Sequence, residues 1–219
     1  MTSVWPTVVP LALGAAVSPA LLTIQLLILA GKSRPVPRGW AYTAGVFVTT
    51  VIYMVVLATI ARGIVLASSN QSDVERIVKL VAAAGLLFLG VHALRKKRDP
   101  AKIQARDEKL AKAPLRDFFG IGFAAMWGNL SSLVLILPAV HITINSDATS
   151  STIATMMGLI LLCAIAPALL PVLLLTLAGS HADPALASLN RFTTAHAQQI
   201  NAGICFLFAA LLVYSGLKP

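Results

Sequence analysis

Six long apolar stretches alternate with short polar ones along this chain, over residues 7–30, 39–61, 74–94, 118–141, 152–178 and 197–216. A helix of roughly 20 residues crosses a hydrocarbon core about 30 Å thick. Lipid offers no partner for a free peptide group, so such stretches are read as helices, each closing its own hydrogen bonds. The pattern therefore predicts an all-α membrane protein with six transmembrane helices. Pro35 and Pro37 stop a helix from running through the short loop 32–38. Asp99-Pro100 and Asp183-Pro184 each set an N-cap acceptor before a proline preset for a first helical turn, so a short cytoplasmic helix is expected after each. In the second, Leu186, Leu189 and Phe192 make an apolar edge able to lie along the membrane surface; a solvated connector is the other reading.

Composition agrees with a bilayer setting, since 58% of the 219 residues are hydrophobic and 11% are charged. The net charge of +9 raises nucleic-acid binding, but the basic residues sit between apolar segments and form no stripe with interleaved aromatics. They read as orientation signals. The first, third and fifth loops hold thirteen of the seventeen Lys and Arg residues, and only Arg62, Arg76, Lys79 and Lys218 fall on the other side. By the positive-inside rule both termini face outward across a plasma membrane. The central loop, with Arg95, Lys96, Lys97, Arg98, Lys102, Arg106, Lys109, Lys112 and Arg116, is read as an orientation signal and anchor for anionic lipid. The N-terminus lacks the pattern of a cleaved signal peptide, so the first span is expected to be retained. Cys163 and Cys205 lie in apolar spans without metal-ligand spacing, and no cofactor or metal is expected.

The halves of the chain repeat weakly but in order. Residues 14–29 (GAAVSPALLTIQLLIL) match 122–137 (GFAAMWGNLSSLVLIL), Gly45 falls opposite Gly158, and 84–89 (AGLLFL) match 202–207 (AGICFL). Three spans per half is an odd number, so the second half enters the bilayer with opposite polarity. This predicts two inverted repeats, residues 1–94 and 118–219, joined by a basic cytoplasmic linker at 95–117. Transporters of this plan bind near the midplane, between the repeats.

Candidate chemistry lies in the few polar or helix-breaking residues inside spans. Pro19 removes a backbone donor and crowds the carbonyl four residues earlier, freeing polar groups for a cavity or ligand. At matching depth the fourth span carries Asn129, Ser131 and Ser132, a polar cluster in place of a kink, and the fifth carries Pro167 and Pro171 one turn apart. Ser18, Pro19 and Asn129 are read as cavity lining, and Gln25, Ser131 and Ser132 as interhelical hydrogen bonding, with the alternative open for each. Together with Pro167 and Pro171 they form the candidate substrate-binding set. Arg62, Arg76 and Lys79 either draw an anionic head group or snorkel at the interface. His92 and His141 are read as interfacial side chains at span ends, and Tyr53 and Trp127 as packing residues. No acidic residue lies deep in a span, which disfavours cation transport. No convergent nucleophile, base and oxyanion arrangement supports an enzyme.

The opening Leu13-Gly14-Ala15-Ala16-Val17-Ser18-Pro19-Ala20-Leu21-Leu22, followed by a short basic proline-containing loop, resembles the glycopeptidolipid- and sulfolipid-addressing proteins of actinobacteria, in the LysE-type exporter superfamily. The likeness extends over span number, the basic central loop, the proline-rich fifth span and the close of the sixth. It implies a plasma-membrane transporter or accessory that delivers a lipid or glycolipid to the cell surface, with Ser18 and Pro19 at a broken-helix position. Amino-acid exporters of that superfamily have Ser-Pro-Gly-Pro there, whereas Ala20 and Leu21 follow here, which suits a greasier substrate. The expected function is a transporter or flippase for a largely apolar molecule working by alternating access; a scaffold for a lipid synthase or large exporter is the alternative. A thiol electron carrier is disfavoured, because both cysteines fall in one half. Expected partners are membrane lipids, the lipid or glycolipid substrate, lipid-biosynthesis or export proteins, and a second copy in a homodimer.

Overall fold

The computed structural model describes residues 4–31, 33–67, 71–95 and 113–217. Among these the chain is all helical: α1 (Trp5–Ala16), α2 (Pro19–Leu29), α3 (Pro35–Ala67), α4 (Gln71–Arg95), α5 (Leu115–Trp127), α6 (Leu130–Ile144), α7 (Ser150–Ala178) and α8 (Asp183–Leu217), with a 3₁₀ turn at Gly179–Ala182. Within α3, α4, α7 and α8 lie four helices long and apolar enough to cross a membrane. The pairs α1 with α2 and α5 with α6 reach that length only together, bent by 43° and 67°. The protein is thus a multi-pass membrane protein, with up to six crossings if each bent pair is one span. The helix expected after Asp99-Pro100, the basic residues from 96 to 112, Lys32 and Lys218 lie outside the described residues.

Two expectations change. Asp183 does begin a helix, but no separate short helix follows; α8 runs unbroken for 35 residues and absorbs the span expected at 197–216. Between Pro184 and Gly203 the sequence has neither proline nor glycine, so nothing ends the helix once started. Nor do Leu186, Leu189 and Phe192 form one surface edge: Leu186 is buried with Leu26, Leu29, Val172 and Leu175, while Leu189 and Phe192 stay exposed. The other change is the fourth span, read as unkinked. It is the more sharply broken of the two bent pairs.

The core is built from the middles of the helices, with Tyr42, Val46, Leu86, Met126, Ile136, Ile160 and Ala164 fully or almost fully buried. α4 packs along α8 and α3 along α5, while α3 and α7 run antiparallel. Each bent pair reaches into the opposite half: α2 packs on α7 and α8, and α6 packs on α3 and α4. The α3–α5 crossing is tight because Gly45 lies against the Phe119 carbonyl and Gly122 against the Tyr42 carbonyl, leaving no room for a side chain at either position. Small residues let helix backbones approach in this way where lipid supplies no hydrophobic drive.

Long-range contacts also order the ends of the bundle. Arg38 donates from Nη2 to the Ala113 carbonyl at 3.1 Å and lies 5.0 Å from the centroid of the Phe118 ring. Ala182 and Leu186 pack with Leu26 and Leu29. The loop before α3, the segment entering α5 and the turn before α8 therefore share one end. At the other end Arg62 of α3, Ile144 of α6 and Met157 of α7 gather around one groove.

Candidate functional site

The two breaks meet at the centre of the bundle. At the first, Pro19 has no N–H to give the Ala15 carbonyl, and the ring disfavours a helical conformation at the preceding residue. Ser18 is accordingly extended (φ −117°, ψ 96°), and its hydroxyl caps α2 by accepting from the Leu21 N–H at 3.5 Å. The orphaned Ala15 carbonyl takes a hydrogen bond from across the molecule instead, from Ser132 Oγ at 3.4 Å.

The second break contains no proline. Asn129 (φ −87°, ψ 68°) sits at the centre of an inverse γ-turn in which the Leu130 N–H donates to the Gly128 carbonyl at 3.1 Å. Its side chain joins both breaks: Nδ2 donates to Ser18 Oγ at 3.0 Å and to Ser132 Oγ at 2.8 Å, while Oδ1 accepts from Ser131 Oγ at 3.1 Å. The carbonyl released at the end of α5 is met from α3, where the Tyr53 hydroxyl donates to the Trp127 carbonyl at 3.0 Å; one turn earlier the Thr49 hydroxyl lies 3.3 Å from the Phe123 carbonyl. Ser18 and Asn129 are only 4% and 7% exposed. In this conformation they bond to one another, and neither lines the groove described next.

The open volume lies beside them. A groove of about 520 Å³ runs between the second half of α3 and the first half of α7, lined by Met54, Val55, Ala58 and Thr59 on one side, Met157 and Gly158 on the other, and closed at its end by Ile144 and Arg62. Nothing lies within 4 Å of where a Gly158 side chain would begin, so this glycine keeps the groove wide. An apolar trough ending in a guanidinium suits an acyl or other greasy chain with an anionic or strongly polar head.

The family model described as Sap, sulfolipid-1-addressing protein, matches residues 8–218. The chain belongs to the Sap family. No curated protein and no solved structure matches it. Sap membership and the apolar helices together make this a membrane protein tied to lipid handling.

This Sap-family chain brings some sequence candidates together and separates others. Ser18, Pro19, Asn129, Ser131 and Ser132 form the central cluster just described. Gln25 lies one layer toward the Arg38 end, fully buried; Nε2 donates to the Gly39 carbonyl at 3.4 Å and Oε1 has no hydrogen-bond partner. Pro167 and Pro171 are buried within α7, which passes through both without a break. Of the three cations, Arg62 alone lines the groove; Arg76 is exposed on α4 and Lys79 packs beside Gly216 of α8. His92 is exposed and stacks on Phe88, whereas His141, expected at a span end, is buried one turn inside the end of α6. Cys163 and Cys205 are free thiols.

Two features escaped the sequence reading. Tyr53 does more than pack on Trp127 (ring centroids 5.2 Å apart), because its hydroxyl satisfies the carbonyl at the break. Gly158 was noted only as the match of Gly45, and its role in the groove follows from what stands opposite it. A tyrosine one residue from the buried Met54, inside an otherwise apolar span, was the available signal for the first; the second left none.

Proposed function

We propose that this Sap-family chain is a plasma-membrane transporter or flippase that moves a lipid or glycolipid toward the cell surface, and that it is not an enzyme. The observation that carries this reading is the apolar groove between α3 and α7 with Arg62 at its end. A scaffold needs no such vacancy between two of its longest helices. A lipid carrier needs a greasy trough reachable from the bilayer and a polar group where the head comes to rest.

In this reading the chain crosses the bilayer six times as two inverted three-helix repeats, with residues 95–117 as a cytoplasmic linker and both termini outside. The packing pattern supports it. Exchanging α1 with α5, α2 with α6, α3 with α7 and α4 with α8 turns the contacts of α2 on α7 and α8 into those of α6 on α3 and α4. Gathering of the three odd-numbered connections at one end supports the orientation, because those connections carry most of the positive charge. The broken first span with Ser-Pro at the break is what kinship with LysE-type exporters would entail. One repeat then rocks against the other about the Ser18–Asn129 contact and exposes the seam to each side in turn.

The test is reconstitution into vesicles with a fluorescent anionic glycolipid in the inner leaflet, its appearance outside followed by quenching. Wild type is expected to speed transfer well above empty vesicles, and Gly158→Phe, which fills the groove, to return it to background while the protein stays folded. If wild type moves no more lipid than Gly158→Phe, the scaffold reading replaces this one.

A further inference from the structure

Resting on the transporter reading, we infer that the α3–α7 seam contains a second groove, closed in this conformation, in which Gln25 receives a hydroxyl-bearing head group.

A shift of 113 residues carries Gly45 onto Gly158. The same shift carries the α3 lining of the open groove, Val55, Thr59 and Arg62, onto Ala168, Val172 and Leu175 of α7. The shift of 108 that aligns the first and fourth spans carries Val36 onto Ile144. These equivalents come together at the opposite end of the seam. Val172 and Leu175 are buried with Leu26, Leu29, Ala182 and Leu186, and Val36 packs against them. One end of the seam is thus an open trough, and at the other end the counterparts of Thr59, Arg62 and Ile144 are packed side chains, while Gly45, the counterpart of Gly158, lies against α5.

Two hydrogen bonds between α3 and α7 hold the filled end. The Thr43 hydroxyl shares its one proton between the Ala168 carbonyl at 3.1 Å and the Gly39 carbonyl of its own helix at 2.9 Å, and Trp40 Nε1 donates to Thr176 Oγ1 at 3.2 Å. Among the described residues no hydrogen bond joins the two helices at the open end, where nothing lies within 4 Å of the position a Gly158 side chain would take. Helices that pivot about their centre exchange these conditions, so that freeing the Trp40 end closes the Arg62 end.

Gln25 lies beneath the filled end. Its Nε2 shares the Gly39 carbonyl with the Thr43 hydroxyl, which is 2.9 Å from it, so the amide is tied to the residue that makes the α3–α7 contact. Its Oε1 is buried without a donor. A buried amide oxygen with no donor from the protein is disfavoured, and it is satisfied as soon as a donor enters. That oxygen only accepts, so the entering group must be a donor. Arg34 and Arg38 stand at this end of the bundle and disfavour a cationic one, which favours an uncharged donor such as the hydroxyl of a sugar or polyol head group.

Cysteine labelling in native membranes tests this in a Cys163→Ser, Cys205→Ser background. Maleimide is expected to label Ala58→Cys, in the open groove, at least tenfold faster than Val172→Cys in the filled one. Adding Trp40→Phe and Thr43→Val, which remove both bonds, should raise Val172→Cys labelling about tenfold and lower that of Ala58→Cys. An unchanged Val172→Cys rate after both bonds are removed overturns the closed groove. In the unbonded protein, vesicles containing monoglycosyl diacylglycerol should protect Val172→Cys relative to pure phosphatidylcholine, and Gln25→Leu should abolish that protection; equal labelling in both vesicles overturns the head-group assignment. Labelling is read without transport. An exchange of labelling in a chain that moves no lipid supports the second groove while removing the function proposed above.

Discussion

The contact between the two helix breaks gives the sharpest test of the architecture, through a double-mutant cycle on Ser18 and Asn129. Asn129→Ala alone removes three hydrogen bonds, to Ser18, Ser131 and Ser132, and Ser18→Ala alone also weakens the cap on Leu21. Neither single variant therefore measures the bond between the halves. The cycle subtracts the unshared losses and leaves the 3.0 Å bond from Asn129 Nδ2 to Ser18 Oγ. Side-chain hydrogen bonds between membrane helices couple by about 0.6 kcal/mol on average and about 1.7 at most, because the unfolded chain in lipid also finds partners. Burial of both residues argues for the upper part of that range, about 1–1.7 kcal/mol, or roughly a fivefold to eighteenfold change in the folding constant. Reversible unfolding in mixed detergent micelles, followed by circular dichroism, reads it. Coupling within about 0.3 kcal/mol of zero would mean that the breaks act independently, and the central pivot would have to be abandoned.

Other consequences are local. Gly45→Val drives a side chain into the Phe119 backbone and should cost at least about 3 kcal/mol or abolish folding, whereas Gly63→Val, with nothing within 4 Å, should express and melt like wild type; similar melting of the two would refute the tight α3–α5 crossing. Tyr53→Phe keeps the ring against Trp127 but leaves the Trp127 carbonyl without its donor, so a loss of about 1–2 kcal/mol is expected in thermal unfolding, and an unchanged melting point would argue against that bond. Arg62→Gln should reduce copurification of anionic lipids relative to zwitterionic ones, by mass spectrometry of the extracted protein, while Arg76→Gln, outside the groove, should leave the ratio as it is; equal effects would detach Arg62 from head-group binding.

The length and spacing of the apolar stretches were enough to find the four helices that, among the described residues, are long enough to cross a membrane, because a helix in lipid depends on its own residues for backbone bonding and for solvation. The first break was legible too. Pro19 lacks a donor in any surroundings and disfavours a helical conformation at Ser18, a residue whose side chain can cap the helix that follows. The polar cluster at Asn129, Ser131 and Ser132 could likewise be picked out as a unit, since hydroxyls and amides are scarce at that depth.

Tertiary structure alone decided the second break, because asparagine interrupts a helix only weakly by itself and becomes a 67° bend when Ser18 and Tyr53 offer partners from other helices. It also decided that α8 runs on from Asp183 with Leu186 in the core, as an apolar side chain at a helix start faces whichever surface the fold puts beside it. The groove is the clearest case. Gly45 and Gly158 are interchangeable in the sequence repeat, yet Gly45 is pressed against the Phe119 backbone while Gly158 faces open space. A missing side chain permits either close packing or a cavity, and only the position of the neighbouring helix selects between them.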